Sequence, residues 1–262
     1  MARGTYAEIK VFEDFLHFED NIAATGLATA IVWGTGYVSV GDLGFVSVNE
    51  GSLAWTIDEP GGILAITTDV GDDDNAVLIA GRFQPGADGV GGGGCETESR
   101  VKHNTTGAVQ LAVWCGFSET MAFDTPVMPS EFATATMTYN GTGGMIGAMI
   151  DPDATTDDWR AFIGDAAAGG TGSGATGVRA NETITADEWY VVRTEADQAG
   201  TGRVYVGHKG VALDLIGDFT TAGITGTDQQ YAICMCENRS AAAKVLEVDY
   251  VSSRGWRDWR NA

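Results

Sequence analysis

The chain has 262 residues, 36 of them Asp or Glu against 15 Lys or Arg, giving a formal net charge of −21. A surface this acidic repels nucleic-acid phosphate and anionic lipid headgroups, which disfavours nucleic acid and membranes as partners. Hydrophobic residues, at 44%, are ordinary for a globular chain, and the 37 glycines are about twice ordinary usage.

Taken in order, the first ten residues contain no apolar signal-peptide core, and no run approaches 18 apolar residues. A soluble chain without a classical export signal is expected. Residues 1–29 read as an N-terminal arm and first strand, where Phe12 and Phe15 sit among carboxylates with no clear period. Residues 30–252 read as one sandwich domain, and 253–262 as a C-terminal Arg/Trp arm. Short β-type runs bounded by glycine or Asx turns predict strands at 45–48, 52–57, 63–68, 76–83, 96–103, 109–117 and 133–139. Further strands are predicted at 145–150, 189–195, 202–206, 211–216, 231–237 and 244–251. Strict alternation in 96–102 and 245–251 marks half-buried strands. No long helical period occurs. The expected fold is all-β, a two-sheet antiparallel jelly-roll sandwich.

Several segments invite a functional reading. Asp69-Val-Gly-Asp-Asp-Asp-Asn75 carries four carboxylates but lacks the EF-hand spacing, so it reads as a solvated acidic turn. The glycine-rich loops 84–94 and 164–177 lack the Lys-Ser/Thr of a phosphate cradle. Cys234 and Cys236 share a strand face that could offer two thiolates to a metal, yet no second pair completes a set. Buried thiols are the preferred reading. Glu96 and Glu98 share one face of a predicted strand, about 6.5–7 Å apart, a separation compatible with paired-carboxylate glycoside hydrolysis. A G-x-S-x-G elbow and an H-E-x-x-H motif are absent. No catalytic residue, metal or cofactor is expected. Trp33, Trp55, Trp114, Trp159 and Trp189 are candidate aromatic platforms for sugar, with Trp114 and Trp189 assigned instead to the core. The tail Arg254-Gly-Trp-Arg-Asp-Trp-Arg260 is an island of positive charge in an acidic protein. Its Arg254, Trp256, Arg257, Trp259 and Arg260, with Phe12 and Phe15 at the other end, are the expected interaction residues.

Glu188-Trp-Tyr-Val-Val-Arg-Thr-Glu195, followed by Gly202-Arg-Val-Tyr-Val-Gly-His-Lys-Gly210, resembles the paired strands of concanavalin A-like (laminin G-like) jelly rolls. Gly207-His208 stands where that pattern usually has an Asp. The jelly-roll glucanases within this group carry a Glu-x-Asp-x-Glu strand, whereas this chain reads Glu96-Thr-Glu-Ser-Arg100, which removes the second catalytic group. Residues 238–251 are similar to the final strand of such domains in tailed-phage virion proteins. That resemblance implies a non-enzymatic capsid decoration (cement) protein. Its implied place is the outer capsid surface, after synthesis in the host cytoplasm. Its implied partners are the major capsid protein and neighbouring copies of itself, as a homo-oligomer on the shell. The alternative is a carbohydrate-binding jelly-roll module of the tail-fibre or adhesin kind, and a glucanase-like hydrolase comes third.

Overall fold

The computed structural model describes residues 6–13, 37–40, 43–47, 52–55, 63–83, 94–103, 110–119, 127–134, 136–140, 143–165, 171–172, 184–185, 187–208, 212–220, 222–224 and 229–258. For the strands before residue 56 and for 256–258, the path of the main chain is what is described. These residues form strands and no helix. They are β1 (Tyr6–Glu13), β2 (Tyr37–Val40), β3 (Leu43–Ser47), β4 (Ser52–Trp55), β5 (Leu64–Thr67), β6 (Asn75–Phe83), β7 (Cys95–His103), β8 (Leu111–Ser118) and β9 (Ser130–Ala133). The rest are β10 (Thr136–Tyr139), β11 (Gly144–Ile150), β12 (Arg160–Asp165), β13 (Thr171–Gly172), β14 (Trp189–Ala196), β15 (Gly202–His208), β16 (Asp214–Phe219), β17 (Gln230–Asn238) and β18 (Val245–Asp258).

Two antiparallel sheets make the sandwich. The first runs β16-β15-β14-β7-β18-β5-β4, with β1 also pairing to β18; the second runs β13-β12-β11-β8-β17-β6-β3-β2. Non-local neighbours such as β7–β18 and β8–β17 make this a jelly roll and not a meander. The core between the sheets takes Val101, Tyr190, Val192, Val204, Leu246 and Val248 from the first, and Leu78, Val113, Phe117, Ile146 and Ile163 from the second.

The two sheets differ in what covers their outer sides, and their sequences differ accordingly. β7 and β14 alternate buried and half-buried residues, as strands with one wet face must. β8 and β11 are buried throughout, and so read as continuous apolar runs. Their second face is capped by the β9–β10 hairpin. Met128, Phe132 and Ala154 close over Val77, Trp114, Met149, Phe162 and Met235 in a second apolar cluster. Tight contact within this sheet requires glycine. Gly116 opposes Gly147 directly, and a Cβ on Gly116 would lie 2.3 Å from the Ile146 carbonyl oxygen.

Three expectations need correction. The predicted strand 133–139 is a hairpin, because Thr134 turns the chain with φ of 60° and pairs Ala133 with Thr136. The predicted strand 211–216 is shifted, and β16 begins at Asp214, opposite Val206. Residues 253–258, expected to open a C-terminal arm, are the second half of β18. There they pair with β1, whose Phe12 lies opposite Ser252 and Glu8 opposite Trp256. The hydrogen-bond ladder to two neighbours outweighs the composition of the segment.

Candidate functional site

The outer face of the first sheet collects charged side chains from three neighbouring strands. Pleating alternates β7 so that Thr97, Ser99 and Val101 enter the core while Glu96, Glu98, Arg100 and Lys102 point out. On β14, Trp189, Val191, Arg193 and Glu195 point out by the same rule. On β18 the alternation is reset by a bulge between Val248 and Tyr250. Before it Leu246 and Val248 are buried; after it Val251 and Ser253 are, so that Asp249, Tyr250, Ser252 and Arg254 share the outer side. Without that extra residue Tyr250 and Arg254 would face the core.

Register then fixes the contacts. Glu96 lies opposite Glu195 on one side and Arg254 on the other. Its Oε2 accepts from Arg254 Nη2 at 2.5 Å and from Arg193 Nη2 at 2.8 Å, and Arg193 also donates to Glu195 Oε1 at 2.7 Å. The two opposed carboxylates are thus reconciled by guanidinium groups placed between and beside them. Tyr250 donates its hydroxyl to Glu98 Oε1 at 2.6 Å; burial and this carboxylate push the phenol well up from its ordinary value. Further along, Arg100 pairs with Asp249 and Lys102 with Glu247 at 2.5 Å. Trp189 lies beneath both cations, 4.7 Å from the Arg100 guanidinium carbon and 5.0 Å from Lys102 Nζ.

At the Arg193 end the face opens into a cleft of about 590 Å³ lined by Glu96, Arg193, Glu195, Arg203, Asp218, Phe219 and Arg254. Its rim is a tight turn after β14. There Asp197 Oδ1 accepts from the main-chain N–H groups of Ala199 and Thr201 at 2.8 and 3.0 Å. Gly202 sits under the rim, where a Cβ would come within 2.1 Å of the Glu195 carbonyl oxygen. Rigid strands and a fixed turn therefore hold the lining groups in place. Arg203 and Asp218, at 3.2 Å and about half exposed, form the open side.

The expected site residues separate under this geometry. Arg254 is brought to Glu96 in its own sheet, where it serves an internal ion pair. Trp256 and Arg257 lie in β18 opposite Glu8 and Ala7, and Phe12 lies in β1. Phe15, Trp259 and Arg260 fall outside the described residues. Trp189, assigned to the core, faces outward because β14 inserts Tyr190 instead. Trp114 is buried against Phe162, and Trp159 against Tyr190; Trp33 falls outside the described residues. Arg193 and Tyr250, which organise the face, were not singled out in the sequence. The alternation Trp189, Val191, Arg193, Glu195 was the available signal.

A second charged group sits at the covered side. The Arg239 side chain is 5% exposed and meets Asp73 at 2.6 Å, Glu237 at 2.5 Å and Asp151 at 3.3 Å. Burial outweighs the guanidinium and pushes the Glu237 carboxyl up to about 8. Asp151 also accepts from the Phe132 main-chain N–H at 2.7 Å, tying the hairpin to the sheet. The acidic turn at 69–75 is held here, with Asp74 accepting from Gly71 N–H and Asp73 on Arg239. This cluster is a buried fastening.

No family model matches the chain, and no curated protein matches it. Among solved structures it is similar to a protein of unknown function from Shewanella oneidensis MR-1, at TM-score 0.59 and 10% identity, over 100% of this chain and 92% of that one. It is also similar to peanut lectin with a 9mer peptide (TM-score 0.56, 9% identity, 95% and 97% of the two chains). A third is the lectin UEA-II complexed with galactose (TM-score 0.50, 12% identity, 82% and 93%). At these identities the likeness is one of fold alone. The chain has the jelly-roll sandwich of the concanavalin A-like and legume lectins.

Proposed function

We propose that the chain is a carbohydrate-binding jelly-roll module that takes a polar saccharide on the outer face of its first sheet, centred on the Arg193 cleft. The observation that carries this reading is the fixed array of guanidinium and carboxylate groups around that cleft. Carboxylates accept from pairs of sugar hydroxyls and guanidinium groups donate to them, each with bidentate geometry. The strands and the Asp197 turn hold these groups before any ligand arrives, which lowers the ordering cost of binding. Phe219, partly exposed in the lining, offers an apolar surface to a sugar ring. The similarity to lectins, one of them complexed with galactose, supports the same class of ligand.

The reading is non-catalytic. Glu96 Oε2 is shared by two guanidinium groups and Glu98 accepts from a phenol, so neither carboxyl is placed as a proton donor beside a cleaved bond. The capsid-decoration reading keeps the −21 charge as its support. The segment to 258, which that reading treats as an adhesive arm, is held in a strand ladder with β1.

A glycan array followed by calorimetric titration of the best ligand tests the proposal. Specific binding, weakened at least tenfold by Arg193→Ala with the fold retained, is expected. A silent array would sink it, and co-sedimentation with a capsid shell would then favour the decoration reading.

A further inference from the structure

Four cysteines occur in the chain, all of them free and buried. Cys115 in β8 and Cys234 in β17 are direct partners in the antiparallel ladder. Their sulfurs lie 3.7 Å apart. No other pair stands in that relation. Cys236 is opposite Val113 and Ala76, and Cys95 lies in the other sheet opposite Ala196 and Gly255. Cys234 and Cys236 succeed one another on one face of β17. Strand rise puts their Cα atoms about 6.5–7 Å apart, at the outer limit for a disulfide. Directly opposed residues, at about 4.5–5.5 Å, lie well inside it. Turning the two thiols toward each other therefore requires side-chain rotation and little main-chain movement.

Burial first, and the neighbouring Cys234 sulfur second, push the Cys115 thiol well up. In the finished sandwich it is held as a thiol, out of reach of solvent oxidants, whereas in a partly folded chain it titrates normally.

We propose that Cys115 and Cys234 close a structural disulfide when the chain folds in the presence of a small-molecule disulfide, and that the folded core then preserves whichever redox form it was built with. In the first step one cysteine thiolate attacks glutathione disulfide, forming a mixed disulfide and releasing one glutathione thiolate. The second cysteine thiolate then attacks the protein sulfur of that mixed disulfide, releasing the other glutathione. Two protein thiols are oxidised, one glutathione disulfide is reduced, and the two protons pass to the released thiolates. The resulting link spans 119 positions of sequence, a long loop in the unfolded chain.

Cell-free synthesis of the whole chain in oxidised or in reduced glutathione tests this, with soluble protein alkylated under denaturing conditions and mapped by peptide mass. The oxidised preparation is expected to carry Cys115 linked to Cys234 as its dominant bridge, with Cys95 and Cys236 alkylated. Its Tm should lie roughly 5–10 °C above that of the reduced preparation. Neither form should convert within hours in native buffer containing dithiothreitol or glutathione disulfide, and both should convert once urea opens the core. A Cys234–Cys236 bridge, a scatter of bridges, or four alkylated cysteines in the oxidised preparation would overturn the pairing. Interconversion within minutes in native buffer would overturn the sealing. Cys115→Ser and Cys95→Ser provide the control: the first should abolish the bridge and the second should leave it.

Discussion

On the outer side of the first sheet, Glu96, Arg193 and Arg254 hold one another in view of solvent, and the Arg254 side chain is 41% exposed. On the outer side of the second, Trp114, Phe162 and Met235 are closed under a hairpin, and the Arg239 side chain beside them is 5% exposed. The first region pairs charges across neighbouring strands and the second pairs Arg239 with carboxylates at strand ends, and the surroundings assign the two opposite tasks. In solvent, a paired charge adds little to stability and stays available to a ligand. Under cover, the same pairing is needed to keep carboxylates such as Asp151 from being buried alone. One charged group is thus left open to solvent, and the other serves as a fastener.

The largest contrast should appear when each arginine is removed. Arg239→Ala leaves Asp151 buried without its cation and is expected to cost about 3–5 kcal/mol in urea unfolding. Arg254→Ala, at a partly exposed pair, should cost no more than about 1 kcal/mol. Equal losses would erase the distinction between the two regions. The tryptophans repeat the test in apolar terms. Trp114→Ala opens a cavity between the sheet and the hairpin, for about 3–5 kcal/mol. Trp189→Ala forfeits two cation–π contacts and surface packing, roughly 1–2 kcal/mol.

A smaller effect comes from pH. Folded Glu237 keeps its proton up to about 8, whereas in the unfolded chain it ionises near its ordinary 4.5. Between those values the folded state binds more protons, so this group makes stability fall as pH rises, levelling above 8. His103, buried and lowered to about 4 from its ordinary 6.5, acts the other way: the unfolded state binds its proton first, and stability rises from pH 4 to 6.5. Together they set a plateau near pH 5–6.5 with a decline from 6.5 to 8. Glu237→Gln should remove that decline in pH-dependent denaturation, and a decline that survives the substitution would contradict the assignment.

These contrasts also show what could be read in the sequence. Alternation in 96–103 identifies a half-buried strand because one face meets water. The run 111–117 is apolar throughout because the hairpin covers its second face. The break at Thr134 was missed because threonine is not among the usual turn residues. β12 was missed because its apolar run, Ala161 to Ile163, is too short to mark a strand. At the candidate site, Glu96 and Glu98 were visible as an outward pair, but their partners were not. Arg193 reaches Glu96 through strand order, and Arg254 through a bulge at Asp249 that interrupts an apparently regular alternation. Sequence spacing carries within one strand; which strand lies alongside is decided by the topology.

The central claim is that the open charged face, and not the covered one, recognises a saccharide. Calorimetric titration of the best array ligand into wild type, Arg193→Ala and Trp114→Phe tests it most directly. The account predicts that Arg193→Ala loses at least tenfold in affinity, about 1.4 kcal/mol, while keeping its Tm within a few degrees. Trp114→Phe should lose stability and keep its affinity. Unchanged affinity in Arg193→Ala, or binding that follows the stability of Trp114→Phe, would contradict it.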